Sequence, residues 1–124
     1  MKVISKKLLR KKNNVQYMKS ERDILTRLQH PFIVQLHFAF QSESKLFLVM
    51  DFLGGGELFH LLRQRGLILE GEIRFYLAEM TLAIEFLHQN NILHRDLKPE
   101  NVLLNIDGHV AITDFGLGEL NTIH

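Results

Sequence analysis

The 124-residue chain contains no cysteine and no tryptophan, only two prolines, and almost no charge imbalance, with 15 Lys+Arg against 14 Asp+Glu. Without cysteine there is no disulfide framework and no Cys-based zinc site, and a reducing compartment is the natural setting. A formal net charge of +1 makes no case for a nucleic-acid or membrane partner. Long apolar runs are also missing. The longest, such as "KLFLVMDFL", fall far short of a bilayer-spanning helix, and Met1 is followed by lysines and polar residues instead of a signal-peptide core.

What remains is an ordinary globular composition, 46% hydrophobic, long enough for one core and consistent with one domain or a piece of one. There are no internal repeats and no low-complexity segments. The basic run "KKLLRKKN", Lys6 to Asn13, reads as a nuclear address, a phosphate patch or, more simply, a solvated connection. Together these features lead to an expectation of a cytoplasmic or nuclear protein.

Along the chain, Met18, Glu21, Leu25 and Leu28 follow helical spacing, which puts Glu21 in an otherwise apolar stripe. A carboxylate aimed at an interior needs a cation opposite it. "PFIVQLHFAF" and "KLFLVMDFL", separated by the polar "QSES", predict a β-hairpin. Gly54 to Gly56 form a turn, "ELFHLLRQR" a short amphipathic stretch, and a long helix is predicted from about Glu70 with Ile73, Leu77, Met80, Ile84 and Leu87 on its buried face. Further on, "VLLN" and "HVAIT" flank the turn pair Asp107-Gly108, a second hairpin signal. The class is therefore α+β.

Two polar motifs border that second hairpin: "HRDLKPEN", His94 to Asn101, and "TDFG", Thr113 to Gly116. Asp96, Asn101 and Asp114 are oxygen donors without nearby histidine ligands, a set that suits Mg²⁺ better than zinc. Antiparallel pairing of the two flanking strands would bring positions 101 and 114 to one edge. Magnesium takes few protein ligands and completes its shell with water and phosphate oxygens, so the sparse set implies a phosphate-bearing substrate.

These motifs, at this separation and behind a long amphipathic helix, resemble the catalytic and metal-binding loops of protein kinases. The resemblance covers essentially the whole chain. It implies a truncated kinase-like fold, with residues 1-50 in the small lobe, 51-56 as the hinge and 57-124 as the start of the large lobe. ATP and Mg²⁺ are the implied cofactors. "MKVISKK" looks like the lysine-bearing strand, making Lys2 the partner of Glu21 and the holder of the α- and β-phosphates. "LVMDFLGGGELF" looks like the linker between lobes. By that likeness Met50 backs the adenine pocket, Asp51 and Leu53 bond the adenine edge through their backbone, Leu58 and Leu103 lie beneath the ring, and Glu57 reaches the ribose or a basic substrate residue. Asp96 would accept the substrate proton, Lys98 would neutralise the moving phosphoryl group, and Asn101 and Asp114 would hold Mg²⁺.

His94 is matched by a packing residue in kinases, and the absence of a second histidine at ligand spacing agrees. The resemblance also puts Arg95 against a phosphorylated activation loop and stacks Leu25, Leu36, His94 and Phe115 in a column between lobes. Lys98, two residues after the aspartate, resembles serine/threonine kinases. "HPFIVQLHFAFQ", "GGGELFHLL", "RFYLAEMTLAIEFLH" and "GHVAITDFGL" look like the AGC group, near Akt, SGK and the ribosomal-protein kinases; Ala111, Ile112, Gly118 and Glu119 depart from its usual pattern. Membership implies protein substrates with basic residues near the acceptor Ser/Thr, Glu57 and Glu100 as their contacts, and an upstream activating kinase. The Gly-rich loop and the A-P-E motif lie outside the 124 residues. The chain is therefore expected to be a fragment inactive alone, the alternative being a non-catalytic interaction module that competes for partners of a full-length kinase.

Overall fold

The computed structural model describes residues 1–7, 26–94 and 97–113. The described residues form an α+β arrangement: strands β1 (Lys2–Ser5), β2 (Leu36–Gln41) and β3 (Lys45–Met50), helices α1 (Leu58–Arg65) and α2 (Glu70–Gln89), a 3-10 turn (Pro99–Asn101), then β4 (Val102–Leu104) and β5 (Val110–Ile112). The sheets are β1-β3-β2 and β4-β5, both antiparallel. The helical stripe through Glu21 and Leu25 and most of the basic run lie outside the described residues, as do Arg95, Asp96 and everything from Asp114 onward.

Both hairpins form where turn chemistry and alternation predict them. In the first, Ser42 Oγ accepts from the Lys45 amide at 3.1 Å and closes the turn. Its register shifts between Leu36 and Phe38, so His37 is the extra residue of a β-bulge. The first strand also starts later than the apolar run suggests. Ile33 instead bridges Ile112 in parallel, with Ile112 N–H donating to Phe32 O at 2.9 Å and Val34 N–H donating to Ile112 O at 3.0 Å. The segment before β2 thus extends the small β4–β5 sheet.

Helix α1 stops at Gly66, whose φ of 67° lies in the left-handed region. Helix α2 starts where Glu72 accepts from the Leu69 amide, and ends at Asn91, φ 60°, with Ile92 N–H returning to Leu87 O at 2.9 Å. Asparagine tolerates that conformation better than other side-chain-bearing residues, and the reversal drops Ile92 into the core.

The core has two connected parts. Leu28, Ile33, Ala83, Leu87, Ile92 and Ile112 make one; Leu58, Val102, Leu104 and Val110 make the other; Phe32 and Met80 touch both. The apolar stripe of α2 is buried only over part of its length, with Met80, Ile84 and Leu87 packed on the core. Leu87 is 0% exposed, but Ile73 and Leu77 are 41% and 53% exposed, and the other buried positions are Glu79 and Ala83. Alanine lets the helix approach β5 closely, and Glu79 satisfies a strand amide there. Leu77, together with the outer sides of Met80 and Ile84 and with Leu97, lines an open groove of about 690 Å³.

Candidate functional site: a hinge stitched to a polar hairpin

The stretch after β3 is held at three places. Asp51 N–H donates to Gln35 O at 3.0 Å, Gln35 N–H donates back to Asp51 Oδ2 at 3.1 Å, and the bulge residue His37 puts Nε2 2.6 Å from Asp51 Oδ1. The Asp51 side chain is thereby occupied with Gln35 and His37, and its backbone N–H with Gln35. Further along, Gly55 N–H donates to Leu104 O at 2.8 Å and Leu104 N–H donates to Gly56 O at 2.7 Å. A Cβ on Gly55 would stand 2.5 Å from Leu104 O, so close approach of backbones requires glycine here. Glu57 then bridges Leu103.

This stitching joins what the sequence separates. Met50, opposite Leu36 at the end of β3, Asp51, Leu53 and Glu57 lie on a continuous path that meets β4 at Leu103 and Leu104. Leu58 and Leu103 differ in surroundings: Leu58 is 8% exposed and packs in the core with Val102, Leu104 and Val110, and Leu103 is half-buried. Glu57 directs Oε2 to within 3.6 Å of His60 Nε2, one turn along α1.

At the other end of β4, the residue before Pro99 is extended, as proline demands, with Lys98 at φ −152° and ψ 160°. The 3-10 turn that follows carries Glu100 and Asn101, and Asn101 N–H donates to Lys98 O at 2.9 Å. Lys98 is exposed, Glu100 half-buried and Asn101 5% exposed. Thr113 N–H donates to Asn101 O at 2.9 Å, so the chain leaves β5 beside Asn101. His94 is also buried and its Nε2 donates to Thr113 O at 2.8 Å, which gives the imidazole a structural task. Lys2 stands opposite Leu48 on β1, in the other sheet. Its expected partner Glu21, and Asp96 and Asp114, lie outside the described residues.

Two groups escaped the reading of the sequence. Glu79 is 5% exposed; its Oε1 accepts from Val110 N–H at 3.1 Å and its Oε2 meets His109 Nδ1 at 2.6 Å. The hydrogen bond and charge of Glu79 raise the His109 pKa above the usual histidine value. A signal was present: Tyr76, Glu79, Ala83 and Leu87 are spaced by three, four and four, the pattern that singles out Glu21. His37 had no signal of that kind, because a bulge cannot be read from alternation. Arg65 and Glu72 form an exposed pair at 2.7 Å, and their hydrogen bond raises the one pKa and lowers the other.

The described residues, two antiparallel sheets and two helices with a glycine-rich linker sewn to a short hairpin flanked by Lys98, Asn101 and Thr113, have the layout of part of a protein kinase domain. The chain belongs to the protein kinase family: the model of the protein kinase domain matches residues 1–122. It is 53% identical over 120 residues to a probable serine/threonine-protein kinase of Dictyostelium discoideum, covering 97% of this chain and 26% of that protein. It is also 53% identical over 119 residues to serine/threonine-protein kinase AtPK2/AtPK19 of Arabidopsis thaliana, covering 96% and 25%. To ribosomal protein S6 kinase alpha-2 of Mus musculus it is 52% identical over 124 residues, covering 100% and 17%. The resemblance to AGC-type serine/threonine kinases holds, and the chain spans about a quarter or less of the length of these curated relatives.

Proposed function

We propose that the chain contributes the nucleotide-binding hinge and catalytic hairpin of an ATP-dependent protein kinase acting on serine or threonine. The observation that carries this reading is the double hydrogen bond between the Gly55-Gly56 linker and Leu104, because it sets the backbone of Asp51 and Leu53 and the Leu103 side chain on one path that ends at Asn101. An adenine ring needs an apolar bed and backbone donors and acceptors at its edge. Met50, Leu103 and the linker backbone supply both.

Asn101 fits Mg²⁺: its amide oxygen is a hard donor, and position 114 follows Thr113, which bonds to Asn101. Mg²⁺ bound there would neutralise charge on the nucleotide's phosphates. In the reaction, Asp96 accepts the proton of the acceptor hydroxyl as its oxygen bonds to the γ-phosphorus. The bond to the bridging oxygen breaks, ADP leaves, and Lys98 offsets charge on the transferring group. Lys2 and Glu21 position the α- and β-phosphates, and Glu57 and Glu100 favour basic residues near the acceptor.

Binding is the test suited to a chain of this length. Titration calorimetry with ATP, with and without Mg²⁺, is expected to show Mg²⁺-dependent binding weakened in Lys2→Ala and in Asn101→Ala. Equal affinity in wild type and both variants would exclude these assignments. Incubation with Mg²⁺, ATP and a basic serine peptide is expected to give negligible transfer by the 124 residues alone.

A further inference from the structure

Strand β5 has two edges, and the hydrogen bonds of its outward edge are shared unequally. Toward β4, residues 101 and 113, and 105 and 109, are the bonded pairs, through Thr113 N–H to Asn101 O and Asn105 N–H to His109 O, both 2.9 Å. The amides of Val110 and Ile112 therefore point the other way. Ile112 finds Phe32 O, but the segment around Phe32 does not reach Val110, which donates to Glu79 Oε1 instead. A side-chain carboxylate from α2 thus takes the place of a strand neighbour. Val110 is 1% exposed, so its amide would otherwise be buried without a partner.

The second carboxylate oxygen is used as well. His109 Nδ1 lies 2.6 Å from Oε2, and the imidazole is steadied by the rings of Phe32, stacked at 6.0 Å, and Phe75, tilted at 5.7 Å. The charged groups acting on His109 are Glu79 from α2 and Asp107 from its own turn. The segment before β2 presents the uncharged ring of Phe32, behind which His30 packs.

We infer that Glu79 is a positioning residue: by holding Val110 and His109 it fastens the β4–β5 hairpin to α2 and fixes the course by which β5 leaves at Thr113, beside Asn101. This rests on the kinase reading for its functional meaning, since the proposed Mg²⁺ ligands are Asn101 and the residue that follows Thr113 in the sequence. The fastening itself is independent of it.

The test uses the 124-residue chain and the variants Glu79→Gln and His109→Gln, the second of which keeps the bond to Val110 if the first fails to fold. In Glu79→Gln, the NMR titration midpoint of His109 is expected to fall back to the ordinary range, and amide exchange at Val110 and Thr113 to quicken about fivefold as a charge-assisted bond becomes a neutral one. Mg²⁺·ATP affinity is expected to fall by about tenfold, the lower end of what loss of a supporting group costs a metal site. In wild type the affinity weakens as pH rises from 6.5 to 8.5 and His109 loses its proton; in His109→Gln that extra weakening is absent. An unchanged His109 midpoint and unchanged Thr113 exchange in Glu79→Gln would overturn the inference. Faster exchange with unchanged nucleotide affinity would reduce Glu79 to core support and overturn its positioning role. If wild type binds no Mg²⁺·ATP, the kinase reading fails, and Thr113 exchange alone decides whether the fastening exists.

Discussion

Gln35 and Asp51 bond to each other twice, backbone to backbone and backbone to carboxylate, and His37 takes the remaining carboxylate oxygen at 2.6 Å. Side-chain exposures of 46% and 41% place the His37–Asp51 pair in high dielectric, where such pairs contribute little. Replacing His37 by alanine is expected to cost about 0.2 to 1 kcal/mol, with the loss shrinking in 1 M salt. Urea denaturation at two ionic strengths checks this. A salt-independent loss above about 2 kcal/mol would mean the bulge itself depends on the histidine.

Neighbouring glycines should respond differently to alanine. At Gly55 the new Cβ would meet Leu104 O at 2.5 Å, and no flexible atom is there to yield; at Gly56 the space is open but φ is 73°. Gly56→Ala therefore carries only left-handed strain, about 1 to 2 kcal/mol. Gly55→Ala must part the linker from β4 and is expected to cost more. Thermal melts of the two variants rank them, and the reverse order would contradict the close approach.

Helix α2 gives a third contrast. Leu87→Ala is expected to lose about 2 to 5 kcal/mol, the range for truncating a fully buried leucine. Leu77→Ala, at a 53% exposed position, should stay within about 0.5 kcal/mol. Equal losses in chemical denaturation would mean that Leu77 is as buried as Leu87.

His30 supplies a pH dependence with a definite sign. Burial lowers its pKa, and Nδ1 accepts the Phe32 amide at 3.1 Å, a bond that protonation would remove. Its contribution is full above the unfolded value near 6.5 and is lost as pH falls through the lowered folded value. His109, with a raised pKa, acts oppositely: its contribution is present below about 6.5 and lost as pH rises through the raised value. Stability measured from pH 5 to 9 should fall toward both ends, with His30→Gln flattening the acid limb and His109→Gln the alkaline one.

Most of this layout was legible in the residues. Period-2 runs around "QSES" and the Asp107-Gly108 turn gave both hairpins, and periodicity gave α2. Three features were not legible, each for a physical reason. The start of the first strand was misplaced because Ile33 and Val34 are apolar whichever sheet they join. The part of Glu79 and Ala83 in the buried side of α2 was missed because alanine and a bonded glutamate can line a core as well as leucine can. The bulge at His37 was hidden because pairing depends on both strands and alternation reports only one. The loop at "KPEN" was legible from Pro99, before which Lys98 is extended and after which Asn101 ends a 3-10 turn.

Gly55 and Gly56 are stitched to Leu104, and Phe32 and Val34 to Ile112. Among the described residues, the chain passes between these stitches and β2 or β3 through Gln35 and through Asp51, and these two residues are tied together. Rocking of β2 and β3 pulls on that tie. A six-residue strand is a lever of about 20 Å, so a swing of about 10° there displaces its far tip by about 3.5 Å, more than the reach of a hydrogen bond. Gln35 thus helps to limit how far the sheet bearing Lys2 can swing relative to the hairpin bearing Asn101.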